Sequence, residues 1–444
     1  MKDRKHVAWL YGQVPTLVAE GVLPAEAAEK IRRRYGELPA GGGRQWAILI
    51  FGILGAALIG AGAILLVAHN WDDLSRSART ALAFAPLVLA IALGGWVLAR
   101  RRASAPWCEG AATYWVLTIG ATISLVAQIY QIHGDTARFF LTWVLLGLPI
   151  VYLLQSSVAA CLYFIGATVW AGCAAHWYVP GSALWYWGLL ALALPYLMRM
   201  WRGDQEPWRA GLTGWILAIC LCIGTAFSLE GMMNGAWIGA YTGLLALMYL
   251  AGARRFGDAP TAWQRPWQSV GALGLGVVAL LLTYNWPWKE IQYHHWREAW
   301  ASGSALVMGN TLAALLPIAA ICAAAREARE ARWGELDLLM VGLAPVCGVI
   351  GYVLAATREL QALPQALFNV YLFALGLGAL VAGIRGNKLG RVNAGLLALS
   401  ALLIARFFDS DLSFLARGVA FILVGAGFLA TNVVMLRRKG AATP

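Results

Sequence analysis

Residues 46–68 read WAILIFGILGAALIGAGAILLVA, from Trp46 to Ala68, without one charged side chain. A helix needs about 20 consecutive apolar residues to cross a bilayer core. This stretch has that length, lies behind a polar basic segment and is too long for the apolar part of a cleavable signal. It is expected to stay as the first membrane anchor. Comparable stretches follow at 78–99, 111–130, 137–154, 157–176, 181–200, 209–228, 233–252, 267–286, 304–325, 335–356, 364–384, 392–407 and 412–436. The expected fold class is all-α, a polytopic transmembrane helix bundle of about 14 spans, or twelve if one hairpin is miscounted. Residues 46–436 form its transmembrane domain, with 1–45 before it as a short cytoplasmic helical hairpin and 437–444 after it as a cytoplasmic tail.

The composition agrees. The chain of 444 residues is 60% hydrophobic and 13% charged, whereas a soluble domain carries about 25% charged residues. Half that charge over so long a chain makes lipid the solvent, and the bilayer the first partner. The net charge of +12 is what cytoplasmic loops bring, and no nucleic-acid partner is expected. The seven cysteines fall mostly in apolar runs, as small buried hydrophobes. Cys220 and Cys222 point to different sides of a helix, a poor metal pair. No disulfide framework is implied.

Charge placement tests the topology. With the N-terminus inside, the outside segments hold Arg76, Arg79, Arg138, Lys289, Arg297, Arg358, Arg406 and Arg417, leaving 26 of the 34 Lys and Arg inside. That bias is the one the positive-inside rule requires, and an even span count keeps Arg437, Arg438 and Lys439 inside. Small residues spaced four apart, Gly52, Ala56 and Gly60, then Ala374, Gly378 and Ala382, predict close helix contacts. Interior Pro86, Pro149, Pro317 and Pro345 are expected to kink their helices.

In the N-terminal segment, Trp9, Leu10, Val14, Leu17 and Val18 recur at helical spacing, Gly21 breaks the run, and Pro24 suits a first helical turn. Gly41, Gly42 and Gly43 make a flexible joint. This hairpin is either a basic anchor that fixes orientation or a contact for a protein partner.

Polar residues at the outer ends of the spans are candidates for function. The first outer hairpin runs from His69 through Asp72, Asp73 and Ser75 to Arg79. The last runs from Arg406 through Asp409 and Asp411 to Arg417. Both contain Asp-Leu-Ser-x-x-Ala-Arg, a short hint of an internal repeat. The second hairpin, with Gln128, His133, Asp135 and Arg138, is a looser version. Asp or Ser before a helix accepts its free N–H groups, which accounts for the helix starts. It does not account for Arg79 and Arg417 in first turns, where the dipole disfavours a cation. They need carboxylate partners or an anion. Two readings stay open: helix-end caps and salt bridges, or a polar site opening outward that takes a small polar or ionic ligand, lined by His69, Asp72, Asp73, Arg79, Gln128, His133, Asp135, Arg138, Arg406, Asp409 and Arg417. A hydrolytic centre using Asp72, Asp73 or Asp135 is a distant third.

The outer loop 285–300 is rich in tryptophan and suits an amphipathic helix at the interface. Within it Glu290, His294 and Glu298 share a helical face, a spacing that also suits a metal. No nucleotide loop, zincin motif or Ser/His/Asp pattern is present, and no cofactor is expected. The leading functional expectation is a transporter or permease-like protein with a polar site near its outer face. The alternatives are a structural or sensory subunit of a membrane complex and, further off, a membrane enzyme acting on a lipid-linked substrate.

Four stretches carry a resemblance: Glu20-Gly21-Val22-Leu23-Pro24, His69-Asn70-Trp71-Asp72-Asp73, Gln128 to Asp135, and Ile404-Ala405-Arg406-Phe407-Phe408-Asp409. With them the chain resembles the bacterial predicted membrane proteins grouped as domain of unknown function 2157, most clearly in its N-terminal third. The resemblance implies a multi-pass protein of the bacterial inner membrane and implies no particular activity.

Overall fold

The computed structural model describes residues 74–177, 181–202, 207–230, 235–256, 262–289, 291, 304–329, 338–356, 362–386 and 388–409, with short pieces at 14, 17–18, 20–24 and 26–30 and a few positions beyond 421. Among the described residues there are helices and turns and no strand. The chain divides into two compact units, Met1–Arg79 and Thr80–Pro444. In the first, the Gly21 N–H donates to the Val18 carbonyl (3.2 Å) and the Leu23 N–H to Leu17 (3.0 Å). Gly21 has φ +74°, the left-handed turn that glycine adopts without steric cost and that ends a helix. Ala27 and Ala28 then donate to the Pro24 carbonyl, so the proline opens the next helical turn.

The long helices, in chain order, are α1 Arg76–Arg100, α2 Ala105–Ile129, α3 Thr136–Leu154, α4 Ser157–Trp177, α5 Trp185–Arg202, α6 Pro207–Ser228, α7 Ala236–Phe256, α8 Pro266–Leu281, α9 Ser304–Arg329, α10 Ala344–Ala356, α11 Ala362–Arg385 and α12 Leu389–Asp409. Each lies on one of the expected spans from 78–99 to 392–407. Nine helices among the described residues are long and apolar enough to cross a membrane. The expected spans 46–68 and 412–436, with the stripe Gly52, Ala56 and Gly60, lie outside the described residues or almost entirely so.

Sequence chemistry sets the helix starts. α6 and α8 begin with Pro207 and Pro266, whose missing N–H has no partner to lose there. Asp135 precedes α3 in extended conformation and accepts from the Arg138 N–H, a side-chain N-cap. Pro86, Pro149 and Pro317 lie inside continuous helices. Pro345 stands at a change of helix type. A π-helical turn over Leu338–Leu343 runs directly into α10, whose second residue is Pro345, so the backbone bonding changes at the proline.

Two apolar clusters organise the second unit. One gathers around Tyr163, Phe164, Trp170, Tyr186 and Tyr196. The other gathers around Tyr249, Trp288, Phe368 and Tyr371. α6 serves both, giving Leu217 and Cys220 to the first and Ala218 to the second. α7 is the most enclosed of the candidate spans, with 67% of its window buried. It meets its neighbours backbone to backbone. A Cβ on Gly243 would collide with the Leu316–Pro317 backbone of α9, and one on Gly271 of α8 would stand 2.6 Å from the Tyr249 nitrogen. Small residues allow this approach, which dispersion then stabilises. On α11 the close contact runs through Gly376 and Gly383, packed on Leu399, Gly395 and Val392 of α12. The expected stripe Ala374, Gly378 and Ala382 lies on the flank of that face, because Leu372, Leu375 and Ala379 turn the helix toward the core.

The outside of the bundle is apolar. Val88 and Leu89 on α1, Leu273 on α8, Val370 on α11 and Leu397 on α12 are each at least 60% exposed. Apolar faces recurring on so many helices are the surface a bilayer covers. In the loop after α8, Trp286–Lys289 forms one helical turn. Trp288 is fully buried beneath it, against Phe368 and Gly351, with its indole N–H donating to the Leu282 carbonyl (3.0 Å). That partner lets an indole leave the interface for the core, a departure from the expected interfacial helix. Glu290, His294 and Glu298 lie outside the described residues.

Candidate functional site

A groove of about 890 Å³ runs between α1, α2 and α3. Its walls along the helices are mainly apolar, with Leu87 and Ile91 on α1, Trp115, Ile119 and Ile123 on α2 and Leu146 on α3, and Thr122, Ser124 and Thr142 among them. Its end is polar, built from His133, Asp135, Thr136 and Arg138 at the turn between α2 and α3. The turn is fixed by the chain itself. Gln131 takes the left-handed conformation (φ 51°) and the Ile132 N–H donates back to the Ala127 carbonyl (2.9 Å), closing α2. A non-glycine residue held there costs about 1–3 kcal/mol. Asp135 then caps α3: Oδ1 accepts from the Arg138 N–H at 2.6 Å, and Oδ2 lies 3.2 Å from the Arg138 Nε. Arg138 is 77% exposed, so that pair is well solvated and adds little stability.

The walls are held by bonds between helices. Thr122 Oγ1 donates to the Ala83 carbonyl (3.0 Å), joining α2 to α1, and Trp143 Nε1 donates to the Val116 carbonyl (2.7 Å), joining α3 to α2. Gly94 leaves room for the Trp115 ring.

Of the expected site residues, the structure brings His133, Asp135 and Arg138 together at the groove. Gln128 is exposed near the end of α2 and does not line it. Arg79 donates through Nε to the Leu74 carbonyl (3.0 Å). Arg406 lies in the other half of the second unit: it stacks over the Tyr284 ring at 5.0 Å, and its Nη2 donates to Thr283 Oγ1 (3.3 Å). Asp409 is the last residue of α12. His69, Asp72, Asp73 and Arg417 lie outside the described residues.

A second polar centre was not among the expected residues. Glu109, in the second turn of α2, is 7% exposed. Its carboxylate accepts from Ser156 Oγ, from the Ser157 N–H (2.9 Å) and from the Val158 N–H (3.0 Å), and pairs with the Arg209 guanidinium at 2.7 Å. Arg209 also donates to Ser157 Oγ (3.0 Å) and to the Gln155 carbonyl (2.5 Å). The anion therefore faces the N-terminus of α4 and the cation faces the C-terminal end of α3, each where the helix dipole favours it. The signal in the sequence is an acid and a base, each at the mouth of a different apolar stretch. Arg254 and Glu327 form another ion pair, between the ends of α7 and α9. Among the described residues no group of His, Cys, Asp and Glu has the arrangement of a metal site.

Stacked apolar helices with lipid-facing surfaces define a multi-pass membrane protein. Within it, residues 15–160 match the family described as predicted membrane protein (DUF2157), as the sequence resemblance expects. The match takes in α1 to α3, hence the whole groove, together with Glu109 and Ser156; Arg209 follows it. No curated protein and no solved structure matches the chain.

Proposed function

We propose that the protein is a permease-like component of the bacterial inner membrane. Its groove between α1, α2 and α3 takes a ligand with an apolar body and a small polar or ionic end. The observation that carries this reading is the polarity gradient of the 890 Å³ groove, from Leu87, Ile91 and Ile119 to His133, Asp135 and Arg138. Apolar walls take up a chain without cost, and the few polar groups at one end orient it. Fourteen spans with both termini in the cytoplasm complete the proposal. The contacts between helix ends support that alternation. Glu109, Gln155 and Arg209 meet one another, as do Arg254 and Glu327, and all five belong to segments that alternate crossing puts inside. Thr283 meets Asn369 and Arg406 likewise, and all three lie toward the ends of their spans that alternate crossing puts outside.

The test uses the full chain in lipid vesicles containing a photoactivatable single-chain alkyl phosphate. Cross-links are expected to concentrate on Ile119, Ile123 and Leu146, and Leu146→Trp, which fills the groove, is expected to remove them. Cross-links spread evenly over Val370 and Leu397 as well would mean ordinary lipid contact and would end this reading.

A further inference from the structure

We propose that Glu109 and Arg209 form a releasable latch on the helix ends opposite the groove. The inference rests on the groove reading above, because the latch and the groove share α2 and α3. On α2, Glu109 lies 18 residues before Ala127, a groove residue, which at 1.5 Å per residue is about 27 Å. On α3, Asp135 and Thr136 stand at the groove's polar end and Leu154 at the other, beside Gln155, which accepts from Arg209. The two centres are thus separated by about the thickness of a bilayer core.

One carboxylate ties together the ends of four helices: α2, which carries it; α4, through Ser156, Ser157 and Val158; α6, through Arg209; and α3, through the Arg209 bond to Gln155. Apolar packing would hold these ends at no desolvation cost. An ion pair is a weaker brace, since burying the charges offsets much of their attraction. It has a different property: when the ends part, both charges are hydrated at the membrane surface, and the open form is not penalised as exposed apolar side chains would be. Shut at this end and open at the groove, the helices stand in the arrangement that a permease alternates with its converse.

Cys108 reports on the latch. It adjoins Glu109, is 6% exposed, and its thiol donates to the Arg102 carbonyl (3.4 Å). Cys161 and Cys220 are equally buried, Cys220 within the same cluster. The experiment places the full chain in lipid nanodiscs, adds a membrane-impermeant maleimide and follows labelling of each cysteine by mass spectrometry. Glu109→Gln is expected to speed Cys108 labelling about tenfold or more, the scale on which losing a charge-assisted bond shifts an opening equilibrium. Cys161 and Cys220 are expected to keep their wild-type rates. Unchanged labelling of Cys108 overturns the latch. So does an equal rise at all three cysteines, which marks a brace whose loss loosens the whole bundle. If Glu109→Gln does not accumulate, Ser156→Ala removes one donor while keeping both charges, and a smaller rise confined to Cys108 is expected. The outcomes separate from those of the groove: random cross-linking with a responsive Cys108 rejects the groove alone, and specific cross-linking with a silent Cys108 rejects the latch alone.

Discussion

The Glu109 carboxylate and the Arg209 guanidinium lie 2.7 Å apart with side chains only 10% and 12% exposed. Arg209→Met leaves the carboxylate buried without its counter-charge, a loss that typically costs about 3–5 kcal/mol. Adding Glu109→Gln to the same chain removes the orphaned charge while leaving one oxygen to accept from either the Ser157 or the Val158 N–H group. The double variant is expected to unfold at a higher temperature than Arg209→Met alone. Thermal unfolding of the three proteins in one detergent measures this coupling, and equal transitions for single and double variants would contradict it.

Asp135 has two separable tasks, capping α3 and pairing with Arg138. Asp135→Ala loses both and is expected to cost about 1 kcal/mol. Asp135→Asn keeps the cap and loses only an exposed ion pair, so its cost should be well under half of that. A melting temperature for Asn as low as that for Ala would mean that the charge matters more than the cap.

Gly243 and Gly95 make opposite forecasts for the same substitution. A methyl group on Gly243 meets the Leu316–Pro317 backbone, which cannot swing aside, whereas one on Gly95 meets nothing within 4 Å. Gly243→Ala is expected to destabilise by about 1–3 kcal/mol or more. Gly95→Ala should stabilise α1 by about 0.5–1 kcal/mol. Detergent melting curves decide both signs.

The alternation of sides is open to direct labelling. With Ala103→Cys, Gln155→Cys and Gly134→Cys introduced one at a time, an impermeant maleimide applied to intact cells should reach only position 134. Positions 103 and 155 should label after permeabilisation. Any other division of the three rejects the proposed orientation.

Hydropathy made the spans legible because lipid imposes one rule on all of them: about twenty apolar residues with every backbone group satisfied within the helix. The same averaging concealed Glu109. One acid beside a long apolar run barely alters a window, and nothing local says that its counter-charge is Arg209. The burial of Trp288 was hidden for a related reason. Tryptophan prefers the interface on average, but the Leu282 carbonyl is within reach of this indole, a contact that exists only once α8 ends where it does. The groove was half legible. His133, Asp135 and Arg138 stand out as polar residues at a span boundary, while its apolar walls look like any lipid-facing surface until α1, α2 and α3 are set side by side.

The order of synthesis gives the latch a history. Arg209 leaves the ribosome roughly 100 residues after Glu109, a delay of about 5–20 s at ordinary elongation rates. Through that interval α2 is already made and its carboxylate lacks Arg209, with only the serine hydroxyl and amide donors that open α4. The first bundle therefore stays chemically unfinished until α6 arrives. The family-matched segment 15–160 thus completes its buried ion pair only with a residue encoded beyond it.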